Sequence, residues 1–197
     1  MKFAQMLNER KIEMRKENIN ILRKEINSND VIKKINNHIE RFGNIFTTED
    51  IKNQILSNDL IASFFCKDPS KQNIAEIYGL ELLKLKKLPS QGKNCIRFSI
   101  SGDIVHEASG NTKSADTVYN NAYTTMKYTE EEGGAQDNQK HDVIEFLEKG
   151  SKKYKVCAIL DGTYWDKYRK DLKKIFKNNS NVIITSIDEI LKLQEEK

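Results

Sequence analysis

The sequence predicts an α/β protein with a mixed β-sheet flanked by helices, preceded by an N-terminal helical region. Three observations support this fold class. Apolar residues recur every three or four positions through the first sixty-odd residues, which is helical spacing. Runs of β-branched and aromatic residues begin only after residue 90, and helical patterns then separate them. Hairpin-linked strands come first and crossover-linked strands follow, so antiparallel and parallel neighbours are expected in one sheet.

Length and composition restrict the class of protein. The chain has 197 residues, of which 38% are hydrophobic, enough for one compact domain with an extension and too few for a multidomain machine. The formal charge of +4 permits a polyanionic partner without requiring one. The three cysteines lack metal-binding spacing and indicate buried thiols in a reducing, cytoplasmic protein. No apolar run is long enough to span a bilayer, and the N-terminus lacks a signal sequence, so we expect no membrane association.

Residues 1–66 are predicted to form the helical region, with a role in dimerisation or DNA recognition. Apolar residues at helical spacing define the helices of its first part, and Gly43 stands where a C-terminal cap is expected. Thr47 followed by Asp50 fits a capping box, and Asn58 is placed to cap a further helix. No strand is predicted here.

Residues 67–197 are predicted to form the α/β core. Asp68 and Pro69 suit the start of a helix, which we expect to run to about Lys87. The elements that follow are predicted in this order: strands over 96–100, 116–119 and 122–128, a helix that includes 143–147, a strand over 156–160, a helix over 165–176, a strand over 182–185 and a helix over 187–193.

The most informative segment is the predicted hairpin around Asn120 and Asn121. Asparagine tolerates the positive φ angles that a two-residue hairpin turn requires. Counting back from such a turn pairs Asp116 with Thr125. Because side chains alternate along a strand and opposite residues share a face, Asp116, Thr125 and Lys127 are expected on the same side of the sheet.

This cluster resembles the active site of the PD-(D/E)XK nuclease superfamily, which includes many type II restriction endonucleases. Ala115-Asp116 matches the first element of the family motif, and Thr125-Met126-Lys127 occupies the place of its acid-x-Lys triplet. The order of predicted elements from residue 69 to residue 185 is similar as well, as is the run over residues 127–139. The resemblance implies a restriction-endonuclease-like core in which Asp116 binds Mg²⁺ and Lys127 orients or deprotonates the attacking water.

Thr125 departs from the family pattern, which has Glu or Asp at this position. A neutral hydroxyl is a poor ligand for a hard cation, so another acid is expected to complete the metal site. Glu76, on the predicted preceding helix, is one candidate, and Asp103 and Asp137 are the others. Sequence spacing does not choose among them.

Polar and basic residues near the cluster are candidates for substrate contact. Gln136 is expected to position the backbone or a water molecule in the catalytic site, and Gln139 is expected to act in the same way or to contact DNA. Basic residues recur at helical spacing after Trp165 and indicate a ridge that can follow a phosphate backbone, although a solvated helix face explains them equally well. The predicted DNA contacts are Lys113, Ser114, Gln139, Lys167, Lys170 and Lys174.

The resemblance leads to a specific functional prediction. We expect a Mg²⁺-dependent type II restriction endonuclease that hydrolyses double-stranded DNA at a specific site and acts as a homodimer, since a two-fold dimer matches a symmetric site. An alternative is a catalytically impaired, nuclease-like protein that binds DNA without cutting it, because Thr125 replaces the second acidic ligand. A third is a helical interaction module in which residues 1–66 matter most.

Overall fold

The computed structural model describes residues 2–69, 72–130 and 134–196. The chain forms two compact units, of which one is Gln5–Ile74 and the other is Ala75–Lys197 together with Met1–Ala4. Among the described helices, none is both long enough and apolar enough to cross a membrane.

Four helices account for the first unit: α1 (Phe3–Lys24, whose first two residues belong to the other unit), α2 (Asn29–Arg41), α3 (Thr48–Ser57) and α4 (Asp59–Phe65). The predicted capping box at the start of α3 is confirmed, since Thr47 and Asp50 each bind the backbone N–H of the other. Asn58 caps α4 through its side-chain oxygen. The helices enclose an apolar core that includes Ile35 and Ile55, both fully buried.

The main sheet of the second unit has four strands in the order β4 (Thr117–Tyr119), β5 (Ala122–Tyr128), β6 (Val156–Asp161) and β7 (Val182–Thr185). β4 and β5 are antiparallel, whereas β5, β6 and β7 run parallel to one another. The prediction of an α/β protein with a mixed sheet is therefore confirmed. Asn120 and Asn121 both have positive φ angles, 48° and 61°, and form the predicted two-residue turn.

The strand predicted over residues 96–100 does not join the main sheet. It is reduced to β1 (Arg97–Phe98), which lies between β2 (Ile104–Val105) and β3 (Lys113–Ser114) in a separate antiparallel sheet. The reason is a tight turn directly after β1, where Ser99 N–H donates to Asp103 O and Gly102 has a φ of 83°. This turn folds the chain back on itself, so β1 pairs with its own neighbours.

The helix predicted from Pro69 to Lys87 is shorter in the structure, where α5 spans Ile74–Leu82. Asn73 and Lys84 limit it, because both have the positive φ of the left-handed region, 52° and 54°, which a right-handed helix cannot include. Beyond Lys84 the chain turns, with Leu85 N–H donating to Leu80 O, and continues as an extended segment toward β4.

Three further helices flank the main sheet: α6 (Gly134–Gly150), α7 (Thr163–Ile175) and α8 (Ile187–Glu195). α6 begins nine residues before the apolar residues that predicted it, and α7 and α8 match their predicted positions to within two residues. The core between α6, α7 and the sheet includes Phe146, Leu160 and Trp165. All three cysteines are free. Cys95 and Cys157 are buried as predicted, whereas Cys66 is only half-buried.

Candidate active site

The hairpin of β4 and β5 brings the candidate catalytic residues together. The register pairs Tyr119 with Ala122 and Thr117 with Thr124, as predicted. The predicted next pair, Asp116 with Thr125, does not form, because Asp116 N–H donates to Thr124 O at 2.8 Å. Asp116 and Thr117 thus both face Thr124, an arrangement equivalent to a β-bulge. Bulges of this kind redirect side chains and are frequent beside active sites.

The redirected carboxylate of Asp116 is held by β5. Its Oδ2 atom accepts a hydrogen bond from Met126 N–H at 2.8 Å and another from Thr125 Oγ1 at 3.0 Å. Both hydrogen bonds end on Oδ2, so within the described residues Oδ1 is left for another ligand. The predicted proximity of Asp116 and Thr125 is therefore observed, with the Thr125 hydroxyl acting on the carboxylate as a donor.

Glu76 is the acid that the structure brings to Asp116. It lies in the first turn of α5, and its charge is close enough to raise the pKa of Asp116. The close approach of α5 to the sheet depends on Gly79, because a Cβ at this position would lie 2.9 Å from Met126 Cε of β5. Glu76 is three residues before Gly79, about one helical turn, so the same packing sets its distance from Asp116.

Lys87 neutralises part of this negative charge. Its Nζ atom lies 2.6 Å from Glu76 Oε1. The sequence did not indicate this contact, because Lys87 was predicted to end a helix and is separated from Glu76 by ten intervening residues. No spacing rule links the two positions. Their contact follows from the turn at Lys84, after which the chain returns beside α5.

The electrostatics of the site centre on Asp116. Burial raises the pKa of its carboxyl above the ordinary value, and the charge of Glu76 raises it further. The Lys127 ammonium, the Met126 N–H and the Thr125 hydroxyl act in the opposite direction and stabilise the ionised form. Lys127 is half-buried and forms no ion pair with any described carboxylate, so its charge acts on Asp116 from beyond contact distance. Of the predicted group, Asp116 and Thr125 are in contact, whereas Lys127 acts on Asp116 through its charge.

The oxygen ligands available at the candidate site determine which metal ion it could bind. Two carboxylates that repel each other favour a cation between them, and Mg²⁺ is commonly held by one or two carboxylates while keeping several waters. Among the described residues, Asp116 and Glu76 could hold such an ion. Within the described ranges, no group of three or more His, Cys, Asp and Glu side chains is placed to hold a metal. Thr125 does not provide a third anionic ligand.

Two residues predicted to act at the site, Asp103 and Lys113, form contacts elsewhere in the structure. Asp103, proposed from sequence as a metal ligand, has its two oxygens bound by Lys153 at 2.5 Å and Ser101 at 2.6 Å. Among the described residues it is not one of the groups that act on Asp116. Lys113, proposed as a DNA contact, forms ion pairs with Asp142 and Glu145 of α6. Its ammonium therefore joins β3 to α6.

The other predicted substrate contacts are distributed over β3, α6 and α7. Ser114 is half-buried at the end of β3. Gln139 accepts a hydrogen bond from Thr129 Oγ1 at 2.8 Å, just beyond β5. Gln136 and Asp137 lie in the first turn of α6; Asp137 is exposed, and the Gln136 side chain is outside the described part of the structure.

The basic ridge of α7 is exposed. Lys167, Lys170 and Lys174 all lie on this helix with exposed side chains. Lys167 stands 5.4 Å from the centre of the Tyr168 ring, and Lys140 of α6 stands 4.1 Å from the same ring. Such cation–π contacts hold lysines in place at an exposed surface. Lys174 is ion-paired with Asp171 of the same helix, so part of the charge of the ridge is neutralised within α7.

Comparisons of the chain with protein-family models, with curated protein sequences and with solved structures found no match.

Proposed function

We propose that this protein is a Mg²⁺-dependent endonuclease that hydrolyses phosphodiester bonds of double-stranded DNA, of the type II restriction class. The observation that carries the proposal is the group of Asp116, Glu76 and Lys127. Asp116 on the bulged hairpin and Glu76 on α5, with the charge of Lys127 acting on Asp116, suit phosphodiester hydrolysis. This reaction needs a bound cation, an oriented water and stabilisation of the negative charge that develops on the phosphate.

Each residue has a distinct role in this proposal. Asp116 and Glu76 would hold the ion, which would supply Lewis-acid polarisation of the phosphate and a more acidic water. Lys127 orients the attacking water or neutralises the phosphate, because this half-buried residue is not held in an ion pair within the described structure. Thr125 is a positioning residue, since its hydroxyl fixes the Asp116 carboxylate from the opposite oxygen.

Plasmid cleavage tests the proposal. Wild-type protein, Asp116→Asn and Lys127→Ala are incubated with plasmids of varied sequence and Mg²⁺, and nicked and linear products are measured. We expect cleavage by the wild type and a loss of at least a hundredfold in both variants. Asp103→Asn is the matched control, because it removes an acid bound by Lys153 and should cut normally. Equal cleavage by wild type and both variants, or no cleavage by wild type, refutes the proposal.

A specific observation favours a second candidate function, DNA binding without cleavage. Thr125 stands where an acidic ligand is expected, and the described residues include no cluster of three metal-binding side chains. Calorimetric titration with Mn²⁺ separates the two functions. A single saturable site that disappears in Asp116→Asn favours the nuclease, whereas the absence of site-specific heat, combined with DNA binding, favours the non-cleaving protein.

Cleavage of both strands of a duplex would require two active sites, and therefore a second copy of the chain. We propose a homodimer acting on double-stranded DNA in the cytoplasm, because a two-fold axis in the protein matches the two-fold symmetry of a palindromic site. Sedimentation of the protein with a duplex of the cleaved sequence tests this part. Two chains for each duplex are expected.

A further inference from the structure

An open cleft lies beside the candidate active site. Its volume is about 760 Å³, within the range of roughly 300 to 1,000 Å³ that is typical of ligand sites. The segment between α5 and β1 forms most of it, and the exposed side of β4 supplies the rest. Its lining residues are Lys86, Lys87, Leu88, Pro89, Ser90, Asn94 and Val118.

Hydrogen bonds attach this cleft to the strand that carries Asp116. Leu88 N–H donates to Asp116 O at 2.7 Å, and Thr117 Oγ1 donates to Lys86 O at 2.7 Å. The segment from Lys86 to Leu88 is thereby held along the edge of β4. Lys87 lines the cleft and also contacts Glu76, so this lysine connects the cleft with the candidate site.

The chemistry of the cleft selects for an anion with an apolar part. Two of its seven lining residues are lysines and none is acidic. Ser90 and Asn94 add neutral hydrogen-bond donors. Leu88, Pro89 and Val118 supply an apolar surface, and Val118 is 41% exposed although it lies in a strand. Phosphates joined by sugars present both properties at once, because charged groups alternate with apolar ones along the strand.

We propose that this cleft binds the phosphodiester backbone of the nucleic acid strand adjacent to the bond that is cut. The inference rests on the proposed function, which it extends by placing the bound strand along the segment beside β4, next to Asp116. Lys86 contacts a phosphate, because its side chain is exposed in the cleft. Val118 and Pro89 contact the sugar next to it. Lys87 remains on Glu76 and keeps the cleft close to the site.

Binding without metal tests the cleft independently of cleavage. Fluorescence anisotropy of a labelled duplex is measured in EDTA over a range of salt concentrations. We expect Lys86→Ala to weaken binding roughly tenfold and to reduce the slope of log K against log salt by about 1, the effect of one lost phosphate contact. Val118→Lys adds a cation to the apolar side and should strengthen binding and steepen the slope. Lys192→Ala, an exposed lysine of α8, is the matched control and should change neither quantity.

The other possible results of these binding measurements support or refute the cleft as a backbone site. If the wild type fails to bind DNA, or if Lys86→Ala and Val118→Lys both bind as the wild type does, the cleft is not a backbone site. Competition with thymidine monophosphate distinguishes a strand from a free nucleotide, and displacement of the duplex at micromolar nucleotide would also overturn the inference. Cleft-dependent DNA binding by a protein that cuts no plasmid would support backbone binding in the cleft and refute the nuclease proposal.

Discussion

Replacing Asp161 with asparagine should remove a large pH dependence from the stability of the protein. Asp161 ends β6 and is only 5% exposed. Its two carboxylate oxygens accept the N–H of Ile187 at 3.2 and 3.1 Å, at the start of α8. Burial raises the pKa of this carboxyl to about 7, although the Ile187 N–H and the Arg169 charge oppose the shift.

The size and sign of the effect follow from this pKa. In the unfolded chain the carboxyl ionises near its ordinary value of 3.8, whereas in the folded protein it stays protonated up to about pH 7. Between these values the folded state binds one more proton, so the free energy of unfolding falls as pH rises, by about 1.4 kcal/mol per pH unit. The stability that protonated Asp161 contributes is complete below pH 3.8. It is lost by about pH 7, a total of roughly 4 kcal/mol.

Urea unfolding of wild type and Asp161→Asn, followed by circular dichroism from pH 4 to pH 8 at constant ionic strength, measures this effect. Asparagine keeps an oxygen acceptor for Ile187 N–H but has no charge to bury. The variant should therefore gain stability relative to the wild type as pH rises, by an amount that levels off above pH 7. Asp171→Asn, which removes an exposed carboxyl of α7, is the control. A difference between wild type and Asp161→Asn that is the same at every pH would refute the reasoning.

Two further substitutions test the backbone and the candidate site. Gly162→Ala should lower the free energy of unfolding by about 2 to 5 kcal/mol, because Gly162 has a φ of 98° and an added Cβ would overlap the Thr129 carbonyl group. Urea unfolding measures this loss. Gly110→Ala is the control and should have little effect, because no atom lies within 4 Å of the added Cβ. Lys87→Met should tighten Mn²⁺ binding severalfold, as measured by calorimetry, because the ammonium that competes for Glu76 is removed. Unchanged or weaker Mn²⁺ binding would contradict a metal role for Glu76.

Much of the candidate site was predictable because its first signals are local. The turn at Asn120 and Asn121 fixes the hairpin register, which places Asp116 beside β5, and the bulge then brings its carboxylate to Thr125. Which of Glu76, Asp103 and Asp137 lies near Asp116 was not predictable. It depends on the packing of α5 against β5 across Gly79, and on the ion pair that ties Asp103 to Lys153.

The sequence by itself determined the elements whose causes lie within a few residues. The capping box at Thr47, the Asn120–Asn121 turn and the alternation of helices with strands in the second half all belong to this class. Tertiary structure alone decided that Glu76 of α5 lies near Asp116, that Asp103 is tied to Lys153 and that Lys113 is paired with α6. These features depend on contacts between residues far apart in the chain, whose free energies are set by packing and burial and leave no pattern in the local sequence.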